Sequence, residues 1–477
     1  MQVLSQFQGL GLIALYFIAM LLIVFCCRRK EQTKSEFLVA GRNAPWLITA
    51  FSMAATWVWA PSMFTASEKA YLQGFDGVFW FVVPNVLTLI LFAFFANKMR
   101  SLRPEGWTFS SYILEKFSKR AHNMFLVESF GLQICSFAVQ LLAGGAIFAK
   151  VTGIPFWITT IILAAIPLIY SLTKGIRGNL ISDFVKMAFI ALTLFIGLPI
   201  MTSNVGIDTL VNGLGGITGN FSNLFNENGI KVMLSFGIPT TIGLLSGTFG
   251  DQMFWQRVFC VKKEDVKKTM ITAAFVFGIV PISLSLFGFF VAGAGIDVSD
   301  TQLTNVTAVI NFTPRWFLYL FFMLILSGLI STVDSILCAV SSVSGHDLTN
   351  RLADNGSSDN ESANVLGNKF TSVQIARFSM VAVAILAILV ANIPGIKITY
   401  LFLFYGTLRS SVMLPTIFAI KEVKMSEKGL FYGILASLLI GLPIFAIGNL
   451  DGNVPMILTG SILTIGLSGL LSLTLKK

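Results

Sequence analysis

Apolar runs of about twenty residues follow one another along nearly the whole chain, each long enough to cross the ~30 Å hydrocarbon core of a bilayer as a helix. In lipid every backbone amide and carbonyl must find its partner within the protein, so the runs predict an all-α integral membrane fold. Composition agrees. Charged residues make up 12% of the 477 and hydrophobic ones 55%, whereas a soluble domain carries about 25% charge. Hydropathy and helix-breaking residues place thirteen spans near 8–27, 45–72, 76–98, 122–150, 155–173, 179–202, 232–256, 269–295, 315–346, 371–393, 397–420, 428–447 and 453–474.

The net charge of +10 is spread in short clusters between the runs. That is the pattern of the positive-inside bias and of anionic headgroups, not of a nucleic-acid surface. Arg28, Arg29, Lys30, Lys34 and Arg42 fill the first loop, and Lys98, Arg100, Arg103, Lys116, Lys119 and Arg120 the third. Lys174 and Arg177 mark the fifth, Arg257, Lys262, Lys263, Lys267 and Lys268 the seventh, and Lys421, Lys424 and Lys428 the eleventh, with Lys476 and Lys477 at the end. The loops between carry almost no cation. Thirteen spans preserve this alternation, with the N-terminus outside, the C-terminus in the cytoplasm, and the first span retained in the cell membrane. Residues 203–231, rich in Gly and Asn, are then an external loop, and the polar stretch 348–370 a mobile cytoplasmic linker. Five cysteines within or beside apolar runs and two histidines supply neither a disulfide framework nor a metal cluster. No His-Glu-x-x-His, phosphate loop or placed serine–histidine pair supports an enzyme. The expected partners are the bilayer and a small polar solute; no obligatory protein partner is indicated.

Three spans carry polar or breaking clusters that lipid does not tolerate. In span 2, Ser52 to Ser62 includes Trp57, Trp59 and Pro61. A proline there removes an amide donor and crowds the carbonyl of Trp57, freeing carbonyls that suit a hard monovalent cation. A lone proline more often serves packing alone; the small residues and two tryptophans beside this one favour a site. In span 9, Gly328, Ser331, Thr332 and Ser335 share one helical face. Such a face is commonly a packing seam, but Asp334 on its edge is costly in a membrane and points to function. In span 7, Gly247 and Gly250 precede Asp251 and Gln252, with Arg257 reading as the cytoplasmic end of the span. Asp251 is either a ligand or the partner of a cation such as Arg409. Asp183, entering span 6, reads by itself as a charge opposing the helix dipole.

These residues resemble the sodium:solute symporter family over nearly the whole chain, nearest its urea active transporter branch. Thr56-Trp57-Val58-Trp59-Ala60, Phe79-Trp80-Phe81 and Asp251-Gln252-Met253-Phe254-Trp255-Gln256-Arg257 carry the likeness, in the expected order. The resemblance implies a leucine-transporter-like core of two inverted five-span repeats, residues 45–202 and 232–421. Residues 1–44, the external loop 203–231 and residues 422–477 are then peripheral. It implies Na+ as coupling ion, held by carbonyls of Ala55, Val58 and Gly328 and hydroxyls of Ser331 and Thr332. Some members hold a second ion, for which the matching positions are Asp183, Ser331, Asp334 and Ser335. Asp334 departs from the serine of the best-understood two-sodium relative, which leaves open a stronger ion site, a proton site, or a proton shared between Asp183 and Asp334. The solute is expected beside the breaks in spans 2 and 7, against Trp57, Trp59, Ser62, Trp80, Asn85, Asp251 and Gln252. Aromatic walls suit planar urea, and Asp251 a cation such as a polyamine. Sodium-driven symport of urea or a urea-like solute by alternating access is the favoured reading. Its rivals are proton coupling to urea or a polyamine, and a sodium symporter for an amino acid or other organic solute.

Overall fold

The computed structural model describes residues 3–26, 33–352, 370–396 and 398–475. Arg28, Arg29, Lys30, Lys397, Lys476, Lys477 and residues 353–369 of the expected linker lie outside them. The described residues are helical, with no β-strand beyond an isolated bridge between Ala44 and Val261. In chain order the helices are α1 Gln6–Cys26, α2 Lys34–Val39, α3 Trp46–Trp57, α4 Ala60–Leu102, α5 Phe109–Lys116, α6 Lys119–Thr152 and α7 Phe156–Val205. They continue as α8 Ile207–Asn212, α9 Glu227–Val232, α10 Ile238–Gly250, α11 Gln252–Cys260, α12 Val266–Gly293, α13 Thr304–Phe312, α14 Arg315–Ser342 and α15 Thr349–Leu352. The last five are α16 Ser372–Ala391, α17 Ile398–Ile420, α18 Glu427–Ala436, α19 Leu442–Leu450 and α20 Val454–Thr474. A π-helical turn joins α9 to α10, α14 to α15 and α18 to α19.

The starts are written locally. Thr108, Ser118, Asn226, Ser426 and Asn453 each accept a hydrogen bond from an amide of the first helical turn, and Thr371 with Gln374 forms a reciprocal capping box. The chain is a multi-pass membrane protein: among the described residues, eleven helical stretches are long and apolar enough to cross a membrane. Two are too long for one crossing. α4 has 43 residues and α7 has 50, about 65 and 75 Å at ~1.5 Å per residue, more than twice the bilayer core. Both break at a glycine in the left-handed region, Gly74 (φ 50°) and Gly175 (φ 57°). There a Cβ would also come within 2.5 Å of a backbone oxygen, of Leu214 and Phe221 in one case and of Phe37 in the other. Only glycine meets both demands.

The segment 203–231, expected as an external loop, contains α8 and a turn packed on α4 and α12, and α13 is a further helix beyond the expected spans. α12 lies along α4 and α3; α14 packs on α7 and α3, and α10 on α17. Helices α3, α11 and α14 therefore meet at the centre, while α1, α16, α19 and α20 turn leucines, isoleucines and phenylalanines outward. One end of the bundle, near residues 103–118, is tied shut. Thr108 Oγ1 donates to Asp347 Oδ2 (2.7 Å), His122 Nε2 meets Asp347 Oδ1 (3.0 Å), and the Trp107 ring stacks on His346.

Candidate functional site

The helix of span 2 stops at Trp57 and resumes at Ala60, leaving Val58 and Trp59 unwound. The expected kink at Pro61 is thus corrected in place and cause. Pro61 falls in the first turn of α4, where no helical partner for its nitrogen is needed, so it starts the second half instead of distorting the first. The amide of Ala60 is taken by Gln140 Oε1 (2.8 Å), and Ser62 Oγ donates back to Trp59 O (2.8 Å). The break faces the hydroxyl side of α14. Thr332 Oγ1 stands 3.3 Å from Val58 O, 3.5 Å from Thr56 O and 3.5 Å from Gly328 O. Ala55 O accepts from the amide of Val58 (3.1 Å) in the same turn. At Gly328 the Met63 side chain lies so close to the α14 backbone that a Cβ would meet its Sδ at 2.3 Å.

One turn away lies a cluster of four buried charges. Asp183 Oδ1 accepts from Ser331 Oγ (2.7 Å) and Lys186 Nζ (3.3 Å), and its Oδ2 from Ser52 Oγ (2.7 Å) and Arg257 Nη2 (3.1 Å). Asp334 accepts from Asn179, Tyr170 and Lys186. The Arg257 guanidinium also reaches Ser52 Oγ, Met253 O, Asn179 Oδ1 and Ser335 Oγ, tying α3, α7, α11 and α14 together. Two expectations are corrected here. Arg257 is not the exposed end of a span but fully buried, because α11 turns it inward onto Asp183. Asp183 lies deep within α7, balanced by two side-chain cations and not by a helix terminus. The four positions matched to a second ion, Asp183, Ser331, Asp334 and Ser335, do converge, around Arg257 and Lys186.

Span 7 breaks at Asp251, which has extended backbone and caps α11 by accepting from Met253 N (3.0 Å). Of the two roles left open for it, the geometry displays the pairing: Arg409 Nη2 donates to Asp251 Oδ2 (2.9 Å), and Gln133 Nε2 to its Oδ1 (2.9 Å). A Cβ on Gly247 would lie 2.8 Å from the Trp57 ring and 3.2 Å from Arg409 Nη1, so glycine leaves room for both the ring and the guanidinium against α10. Above this pair opens a cavity of about 410 Å³, lined by Trp59, Phe64, Glu68, Tyr405, Arg409 and Ser410 among others. Its lining extends to Ser235 and Gln302, towards the end of the bundle opposite the tied-shut one. Arg409 lies flat over the Tyr405 ring at 3.8 Å.

Of the residues expected around the solute, Trp59 lines this cavity and Trp57 and Asp251 lie beneath it. The others do not line it. Ser62 serves the helix break, Trp80 packs on Gly237, Asn85 Nδ2 donates to Phe81 O (2.6 Å), and Gln252 bonds Phe109 N and Ser342 Oγ towards the closed end. Sequence reasoning missed Lys186, Tyr405 and Gln133. The signal for Lys186 was present, since an ammonium inside an apolar run is costly unless paired.

Comparison with known proteins agrees with this architecture. A family model described as the sodium:solute symporter family matches residues 37–437. A probable urea active transporter of Schizosaccharomyces pombe is 26% identical over 198 residues, 40% of this chain and 30% of the relative. The urea-proton symporter DUR3 of Oryza sativa subsp. japonica is 22% identical over 426 residues, 81% of this chain and 57% of the relative. The chain thus spans 30–57% of the length of these relatives. A solved Na+-coupled sialic acid symporter in a substrate-bound outward-open state shares the fold, with a TM-score of 0.78 at 16% identity, covering 98% of this chain and 97% of that one. The nucleobase-cation symporter MHP1 follows with a TM-score of 0.60 at 14% identity, covering 93% of this chain and 95% of that one.

Proposed function

Because this chain belongs to the sodium:solute symporter family, we propose that it couples inward sodium flow to uptake of a small polar solute across the cell membrane. Urea or a urea-like amide is the favoured solute. The observation that carries the coupling is the Thr332 hydroxyl ringed by three carbonyls at 3.3–3.5 Å. These separations exceed the ~2.8 Å of an ordinary hydroxyl hydrogen bond, as suits oxygens grouped around an ion rather than bonded to one another. Ala55, Val58, Gly328, Ser331 and Thr332 supply neutral oxygens for a monovalent ion that must leave again. A site for a divalent ion would use carboxylates. Thr56 O joins this set by position.

Counting each glycine-broken helix as two crossings raises eleven stretches to thirteen and supports an external N-terminus and a cytoplasmic C-terminus. The cavity then opens outward. Each proposed repeat begins with an interrupted helix, at Val58–Trp59 in residues 45–202 and at Asp251 in residues 232–421, as inverted repeats require. Urea is supported by the relatives' names and by a mostly apolar, aromatic-walled pocket with a few polar groups. Sodium alone suffices energetically. One charge crossing 100 mV gains about 2.3 kcal/mol, a tenfold gradient about 1.4 kcal/mol, and together these drive roughly 500-fold accumulation of a neutral solute.

Proton coupling is the second reading. It is favoured by Lys186 and Arg257, which already bring positive charge to the residues matched to a second ion. Uptake of labelled urea by proteoliposomes under separately imposed sodium and pH gradients decides between the two. Thr332→Ala is expected to raise the sodium concentration for half-maximal uptake at least several-fold. Unchanged sodium activation in that variant, or uptake driven by the pH gradient alone, removes the sodium assignment.

A further inference from the structure

Residues 129, 133, 136, 140, 143 and 147 of α6 recur at alternating steps of four and three, so they form one straight stripe along the helix. Its two ends reach two different cavities. Ala143 and Ile147 line the large cavity beside Trp59 and Arg409, and Ser129 lines a smaller one beside Glu128, Gly250 and Gln252 at the closed end. The stripe is about 27 Å long at ~1.5 Å per residue, close to the hydrocarbon thickness. Between the cavities its side chains are Gln133, Ser136 and Gln140, all buried. Gln133 Oε1, Ser136 Oγ and Gln140 Nε2 find no hydrogen-bond partner among the described residues; nor do Trp57 Nε1 and Arg409 Nε nearby.

A packing face would not be built this way. Where α6 does pack on α14, it does so through Gly144 against Leu329. Buried polar atoms are nearly always paired, and five left open around two helix breaks call for a ligand that brings both donors and an acceptor. Two donors of this set (Gln140 Nε2 and Trp57 Nε1) flank the span 2 break, and one acceptor (Gln133 Oε1) stands at the Asp251 break.

We propose that the polar stripe Ser129-Gln133-Ser136-Gln140 of α6 is the track along which the solute crosses. It selects a small planar amide that donates through N–H and accepts through C=O. The proposal rests on the transport reading. Trp59, Leu132, Tyr405 and Leu408 form an aromatic and aliphatic cluster beside the track, and this is the barrier that must part for a solute to pass.

The test is built on Ser136, whose buried hydroxyl has no hydrogen-bond partner among the described residues, so replacing it removes no hydrogen bond from the fold. Ser136→Leu is expected to abolish urea uptake while sodium binding, measured by binding of radioactive sodium to purified protein, stays within twofold of wild type. Ser136→Ala, missing one hydrogen bond, should raise the half-saturating urea concentration about 3- to 10-fold. Wild-type uptake by Ser136→Leu overturns the proposal. In a variant freed of native cysteines, Gln133→Cys, Ser136→Cys and Gln140→Cys should react with a small water-soluble thiol reagent, and Ala138→Cys on the opposite face should not. Equal inertness of all four overturns it as well. The labelling needs no knowledge of the solute, so a wild-type protein that ignores urea but labels along the stripe defeats the urea reading and leaves the track standing.

Discussion

Two buried charge centres lie within the same bundle and are finished differently. At Asp183–Arg257–Lys186–Asp334, two acids and two bases are fully buried, and every charged group has at least two hydrogen-bond partners. At Asp251–Arg409 the acid is saturated by Gln133, Met253 N and the guanidinium, but Arg409 Nε and the far end of Gln133 are left open, and a cavity begins there. A saturated centre has nothing left to offer a ligand and holds helices together; an unsaturated one carries a free-energy cost that a ligand can remove. The first is read as the tie among α3, α7, α11 and α14, the second as the place where solute is met. The tie also touches the proposed ion site through Ser331, whose hydroxyl donates to Asp183. Filling the ion site and loosening the tie would then compete for one side chain, which is how an external ion could bias the bundle between its two arrangements.

The comparison can be broken most severely at the tie. Arg257→Met or Asp183→Asn alone should lower stability by about 3–5 kcal/mol, because each leaves the buried cluster of two acids and two bases with one uncompensated charge. The double variant should be more stable than either single, as thermal unfolding in detergent would show. Stabilities of the two singles that simply add would refute the coupling. At the unsaturated centre, Arg409→Lys should cost less stability and more function. Loss of a charge-assisted hydrogen bond worth about 1.5–3 kcal/mol should weaken solute affinity by roughly 10- to 100-fold, with sodium binding unchanged. An equal loss of sodium binding would merge the two centres into one. Gly247→Ala should follow with a several-fold weaker solute affinity, because its methyl group would crowd both the Trp57 ring and the Arg409 guanidinium. Lys231→Ala, at an exposed pair with Glu227, is the smallest change, and neither uptake nor the melting temperature should move.

Much of the centre was legible before any coordinates. The spacing of Gly328, Ser331, Thr332 and Ser335 forecast a hydroxyl face, and Thr332 of that face stands 3.3 Å from the Val58 carbonyl at the span 2 break. The Gly-rich approach to Asp251 forecast the second break. The stripe on α6 was equally visible at steps of four and three, but its polar residues are separated by apolar ones and escape a search for local clusters. Arg257 was misjudged because its neighbours, Lys262 and Lys263, truly belong to a loop, and composition cannot tell the last cation inside from the first outside.

The sequence alone determined the number of apolar runs, the positions where helices start and fail, and which residues share a helical face. These follow from length, capping chemistry and a period of 3.6 residues, all interactions within a few positions of chain. Only the tertiary structure decided that Lys186 answers Asp334 across 148 positions and Arg409 answers Asp251 across 158. A buried charge must find an opposite one, but many helix arrangements could supply it, and which one does is settled by how whole helices pack.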